Sequence, residues 1–433
     1  MSTNSSSTKK LRRTTFKSGV ASESPLEVPK VVIAEVPVKI EPPKTVKEEV
    51  ITSVPEDPPE LTELLEGNLA TTYFSPLNPS VTIDDGGEEQ GLAPVVSSLS
   101  SGGYVIAYFT QYLMVTIYDK FDNIVNKMNP IEASGASGFA LSPLRYSGFL
   151  LAYVTPIVQS DNNDPCNIVP MKIKVLKVSN DGTVIKTLEP TEDLGTGLAN
   201  PSVCTQLSGY VVSWCKTQNE PNDRLEWQSF TRGDKKSGPK GSIESRPNPK
   251  TFLNTDVNKE DYYITNLAGE NYLRNMKIDS KLDVVIPPIS LVSENAISFS
   301  SCVLINGYRV ITWNNESSAA YFRLLRNDGK LIVENMITGS GCYRISCVSL
   351  LSGGFIVLYI KSLIESYMLL GTYYDVNGNF VDKFIVDKVD DSCDLSPKGV
   401  CSLLDTGFIV TWTSYKSVKY RRYGRTTDNL YFT

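Results

Sequence analysis

Residues 349–359 read SLLSGGFIVLY, and residues 371–381 read GTYYDVNGNFV. The first stretch is an apolar strand, a glycine turn at Gly353-Gly354, and a second strand of alternating apolar residues ending in Tyr359. Period-two alternation on either side of a tight turn is the signature of a β-hairpin. The second stretch carries its own turn signal, Asn377-Gly378, so a second hairpin follows the first. Two hairpins in succession make a unit of four strands.

That unit recurs along the chain. The first hairpin reappears as SLSSGGYVIAY ending at Tyr108, PLRYSGFLLAY at Tyr153, TQLSGYVVSW at Trp214, VLINGYRVITW at Trp313 and SLLDTGFIVTW at Trp412. The second reappears as VTIYDKFDNIV, KVLKVSNDGTVI and YFRLLRNDGKLIV. Asp181-Gly182, Asp328-Gly329 and Asn377-Gly378 are read as two-residue turns with both central positions at positive φ. The turn glycines Gly103, Gly148, Gly209, Gly307, Gly354 and Gly407 recur every 45 to 60 residues or so, with one double gap. Four-stranded repeats of this length indicate propeller blades. The double gap should hold a degenerate blade at DYYITNLAGENYLRNMKIDSKLDVVI, residues 261–286. Counting it, the expected fold is all-β, a seven-bladed β-propeller of four-stranded blades over residues 67–433. Either TYFSPLNPSVTI, residues 72–83, or the terminal DNLYFT should close the ring, and sequence does not choose between them.

The region before it differs. Residues 1–66 are Ser/Thr-rich and then Pro, Val, Lys and Glu-rich, with too little apolar surface to offset ordering entropy, so a disordered tail is expected. A short helix near 58–66 is the exception, with Asp57 as cap, Leu61, Leu64 and Leu65 on one face, and Gly67 at its end. Such a helix either docks on the propeller or serves as a binding peptide.

The repeats GGFIVLY and YYDVNGNF resemble the G-G-F-x-V-x-W…D-x-x-G propeller repeats of large secreted bacterial proteins of the RTX kind and of uncharacterised propeller proteins. The resemblance covers roughly residues 92–431 and implies the propeller fold. Blade four lacks the glycine-aromatic turn and blade seven has TTDN in place of the second D-x-x-G. The G-G-x-G-x-D calcium repeats are absent from the sequence, so calcium dependence is not carried over.

The chain has no histidine, which removes the usual zinc sets, the Ser-His and Cys-His pairs and the commonest neutral-pH proton shuttle. No catalytic motif, cofactor site or metal site is expected. A formal net charge of -6 disfavours nucleic acid as a partner. No signal peptide or transmembrane segment is read, which places the chain in the cytoplasm or in a virion. Cys204, Cys302, Cys347 and Cys401 fill one recurrent position before the turn glycines and are expected to be buried free thiols. Tyr108, Tyr153, Trp214, Trp313, Tyr359 and Trp412 are expected to pack between blades rather than to stack on a ligand. Residues 375–379 resemble part of a calcium loop, but hairpin turns favour the same residues.

Two insertions are the binding candidates, because determinants on rigid scaffolds concentrate in loops. One spans residues 156–170 and carries Asp161, Asn162 and Asp164. The other spans 231–250 and carries Lys235, Lys236, Lys240, Arg246 and Lys250, a basic cluster in an acidic protein. The functional expectation is a non-enzymatic binding or structural protein with a protein partner, of unspecified oligomeric state, suited to a virion or other large assembly. The rival is a carbohydrate-active hydrolase using carboxylates near the central channel. The strand cores VVSSL, SVCTQL and VCSLL favour a channel lined by Ser, Cys and Val.

Overall fold

Alternation along one strand sends neighbouring side chains into different cores. In the strand Phe355–Ser362, Phe355, Val357 and Tyr359 pack with Phe322 and Leu324 of the sheet before it. Ile356, Leu358 and Ile360 pack with Phe408, Val410 and Trp412 of the sheet after it. A sheet buried on both faces by like neighbours is the elementary unit of a propeller.

The computed structural model describes residues 73–84, 93–133, 138–156, 171–191, 198–216, 224–244, 251–255, 261–268, 272–279, 284–290, 296–364 and 366–426, and every helix or strand among them is a strand. The fold is an all-β propeller of four-stranded blades. Six four-stranded antiparallel sheets cover 95–127, 139–188, 198–244, 251–290, 296–338 and 342–389. The one expected as degenerate takes its place among them, with strands Thr251–Thr255, Tyr262–Ala268, Tyr272–Ile278 and Val284–Ser290.

The expectation of seven four-stranded blades is corrected, because only six sheets have that plan. The remaining sheet is composite and five-stranded. Val400–Ser402, Phe408–Ser414 and Ser417–Arg425 form its inner part, and Phe74–Pro76 and Val81–Asp84 both pair with Ser417–Arg425. The segment 77–80 between these two breaks what would be one outer strand, and Pro79 within it cannot donate to a ladder. The closing strands therefore come from the 72–83 segment. The other candidate, DNLYFT at residues 428–433, lies outside the described residues, as do the expected tail at 1–66 and its helix.

Innermost strands follow one another in a circle. Val95–Ser98 lies beside both Phe139–Pro143 and Val400–Ser402, and the others continue in chain order between them. Seven apolar clusters fill the wedges between successive sheets. Tyr108, Tyr153, Trp214, Trp313, Tyr359 and Trp412 are all buried there, as expected of packing residues.

The recurring glycine has a steric cause. A Cβ on Gly148 would sit 1.8 Å from the Val178 carbonyl oxygen, and one on Gly209 would sit 1.8 Å from that of Phe230. The end of the third strand presses on the turn, and only glycine leaves room. The Asp-Gly turns differ from expectation in one respect. Only the glycine is left-handed, with φ +88 at Gly182, +87 at Gly329 and +86 at Gly378. At the first of these, Ser179 N–H donates to Thr183 O at 3.0 Å while Gly182 N–H donates to Ser179 O at 3.1 Å. This is a type I turn followed by a left-handed glycine, which also matches the strand twist.

Candidate functional site

The inner strands of a propeller leave a central channel, and here that channel is divided. Its wall is Ser, Cys and Val, as the strand sequences indicate. A cavity of about 560 Å³ opens between the C-terminal ends of the inner strands, lined by residues that include Ser97, Ser142, Cys204, Cys302, Cys347 and Cys401. A second cavity of about 290 Å³ opens at the opposite end, between Val95, Ala140, Asn200, Ser298 and Arg344.

Residues 394–399, DLSPKG, separate the two. The segment precedes Val400–Ser402 and crosses the channel, held by sheets far away in sequence. The Pro397 carbonyl accepts from Ser300 Oγ at 2.9 Å and from Ser346 Oγ at 2.8 Å. Val96 N–H donates to the Lys398 carbonyl at 3.1 Å, and Arg344 Nε meets Asp394 Oδ1 at 2.6 Å. Backbone acceptors that would be stranded in an apolar channel are thus satisfied by the hydroxyls of the inner strands.

Lys398 is the chemically distinctive group. It is half-buried, lines both cavities, and donates from Nζ to Ser202 Oγ at 2.9 Å. Burial pushes its pKa down to about 8, opposed by Cys204. The ammonium is still the main form at neutral pH. Sequence reasoning missed it. The one signal was a lysine between a Ser-Pro pair and a glycine, immediately before a strand whose equivalents are Ser, Val and Cys.

The thiols sit where the recurrent position placed them. Cys204, Cys302 and Cys347 are buried and Cys401 is half-buried, and none of the four is in a disulfide. Burial raises the Cys204 thiol to about 12 and raises that of Cys401 further, so both stay protonated near neutrality. Cys302 and Cys347 are buried together: desolvation raises the Cys302 thiol, while at Cys347 desolvation is outweighed by hydrogen bonds with Cys302, Ser300 and Thr312, which lower it. Cys347 N–H also donates to Ser300 Oγ at 3.1 Å, which ties this pair to the crossing segment.

The basic cluster is arranged differently from the expected loop. Residues 232–235 make a tight turn with Asp234 at φ 63, and Lys236–Glu244 is the outer strand of the third sheet. Lys235, Lys236 and Lys240 are exposed on that turn and strand. Lys240 Nζ lies 3.0 Å from Oε1 of buried Glu226, whose Oε2 accepts from Trp214 Nε1 at 3.0 Å. Asp234 draws in Lys177 at 3.1 Å and Lys186 at 3.3 Å, widening the basic patch into the second sheet. Arg246 and Lys250, and Asp161, Asn162 and Asp164 of the first insertion, lie outside the described residues. At 375–379, Asp375 Oδ1 accepts from Asn377 N–H and Asn379 N–H, each at 2.8 Å, so its carboxylate closes the turn.

No family model matches the chain, and no curated protein matches it. Solved structures do. The chain is similar to a polysaccharide lyase, an ulvan lyase bound to a GlcA(1-4)Rha3S saccharide, with a TM-score of 0.52, 9% identity, and coverage of 79% of this chain and 95% of that one. It is similar to BBS1N in complex with ARL6DN, with a TM-score of 0.50, 7% identity, and coverage of 82% and 97%. A protein of unknown function from Bacteroides caccae aligns with a TM-score of 0.40, 13% identity, and coverage of 68% and 94%. At these identities the likeness is one of fold. No helix among the described residues is long and apolar enough to cross a membrane.

Proposed function

We propose that this chain is a non-enzymatic binding protein, a rigid propeller that presents its loop faces and basic edge to a protein partner within a larger assembly such as a virion. In this reading the composite sheet serves as the seventh blade, its outer strand supplied in two pieces by residues 74–76 and 81–84. The blade repeats are read as kin of the RTX-type propeller repeats. The observation that carries the functional reading is the wall of the larger cavity. Its described residues offer hydroxyls, thiols, Val and Leu, with Gln206 and the cations Arg145 and Lys398, and no Asp or Glu. Retaining or inverting glycoside hydrolysis needs two carboxylates facing the scissile bond, and that pair has no place there. BBS1N, similar in fold and crystallised in complex with ARL6DN, is a precedent for such a fold binding a partner.

The hydrolase reading is the alternative, and one comparison separates the two. The full chain is used as bait at low and high salt beside a Lys235→Glu/Lys236→Glu variant, and is assayed in parallel for release of reducing ends from acidic and neutral polysaccharides. A partner held by wild type, lost from the variant and weakened by salt is the expected result. Sustained saccharide release by the wild-type chain would overturn the reading.

A further inference from the structure

We propose that the larger channel cavity is a binding site for a small oxyanion, held between the Lys398 ammonium at its floor and the Arg145 guanidinium at its rim. The proposal goes beyond the protein-binding role, which concerns the outer faces. Lys398 reaches the cavity from the crossing segment, and Arg145 from the exposed turn after Phe139–Pro143. These are the two charged residues of the described lining, and both are cations. Ser97, Ser142, Thr205, Ser301 and Ser402 surround them with hydroxyls that can donate. Hydrogen bonds between such groups and an anion are the strong, charge-assisted kind, and they gain in a channel partly withdrawn from water.

Size and field narrow the ligand. A cavity of about 560 Å³ lies within the range of small-molecule sites. The net charge of -6 on the chain repels an extended polyanion, while a single phosphate, sulfate or carboxylate group entering the mouth meets two positive charges. Lys398 lines the opposite cavity too and bonds Ser202 there, but the second cation of that cavity, Arg344, is matched by Asp394 at 2.6 Å, so two cations with no carboxylate in the described lining meet in the larger cavity alone.

Around Lys398 the titratable and charged groups are Cys204, Cys302, Cys347, Cys401 and Arg145 on one side and Arg344 and Asp394 on the other. Burial raises the Cys204, Cys302 and Cys401 thiols, while at Cys347 burial is outweighed by hydrogen bonds with Cys302, Ser300 and Thr312, which lower it. Anion affinity should follow the ammonium and fall as pH rises past about 8. Isothermal titration of the full chain in phosphate-free buffer tests this, with inorganic phosphate and, separately, acetate as probes. The expected result is one site with a dissociation constant below about 1 mM for at least one probe. Lys398→Gln should weaken it about tenfold or more, and Arg145→Ala, which trims an exposed side chain, should weaken it by a smaller factor. Tighter phosphate binding assigns a phosphate- or sulfate-like ligand, and tighter acetate binding assigns a carboxylate. No heat with either probe, or affinities unchanged in Arg145→Ala and between pH 7 and 9.5 or so in wild type, would overturn the proposal.

Discussion

Replacing Lys398 by Met should change how stability depends on pH, by an amount the structure sets. The unfolded lysine loses its proton near 10.5 and the folded one near 8. Below pH 8 both states carry the charge, and burying it costs about 3 kcal/mol at full desolvation. Water in the two cavities screens part of that, so about 2 kcal/mol is the working figure. Between pH 8 and 10.5 the unfolded chain keeps the proton while the folded chain sheds it, so this contribution to stability rises with pH. Above 10.5 the penalty is gone. The buried thiols act in the opposite direction. Cys204 and Cys342, both raised to about 12, stabilise the fold below pH 9 and lose that contribution as pH rises. Wild type alone therefore shows a mixture of slopes, and the difference from the variant isolates the lysine. Met fills a similar volume but gives up the hydrogen bond to Ser202, at a cost of about 1 kcal/mol at every pH. The variant should then be about 1 kcal/mol more stable than wild type at neutral pH and about 1 kcal/mol less stable above pH 10. Urea unfolding of both proteins in phosphate-free buffers measures the swing. A difference that stays constant across that interval would refute the account of Lys398 as a desolvated ammonium.

Gly148→Ala should cost about 3 kcal/mol or more, because its Cβ meets the Val178 carbonyl, whereas Gly353→Ala, with open space and φ +94, should cost only about 1 kcal/mol; equal losses on thermal unfolding would contradict the steric reading. Arg422→Met should destabilise by about 1–2 kcal/mol, since buried Arg422 loses half-buried Asp122 at 3.0 Å and exposed Asp405 at 2.5 Å where the first sheet joins the composite one. Faster limited proteolysis at 73–84 should accompany it, and an unchanged cleavage rate would count against a joining role. Native thiol labelling at pH 8 should be slow at Cys204, Cys302, Cys342 and Cys347 and complete in denaturant; rapid modification of all four in the folded chain would contradict their burial.

The parts of the fold written in local repeats were readable, and the parts made by distant pairing were not. Each glycine turn with its alternating strand announced an inner hairpin, and the Asp-Gly turns announced the outer one. Even 261–286, without the glycine, kept enough alternation to be placed as a sheet. Lys236–Glu244 was read as loop because Gly238, Pro239 and Gly241 are poor strand formers. It pairs nonetheless as an outer strand, where one edge is free and Pro is tolerated, and Gly241 leaves room for Trp227, whose ring a Cβ would meet at 2.0 Å. The joint around Arg422 unites Asn78, Lys120, Asp122 and Asp405, which no local pattern connects. Lys398 was invisible for the same reason. Its role depends on Ser202, Ser300 and Ser346, contributed by three other sheets to one short segment.

A circle latched by its earliest strands onto its latest cannot shut until nearly all of it has been synthesised. Phe74 finds its place only against Arg425, and Val81 only against Tyr420, so their pairings span almost the whole described length. Once that last strand is made and before the latch engages, the molecule is an open arc with a bare sheet edge at Ser417–Arg425, able to accept the same segment from another copy. Assembly at high concentration should therefore trade the latch between chains, giving exchanged dimers whose yield follows concentration during refolding and vanishes when refolding is dilute.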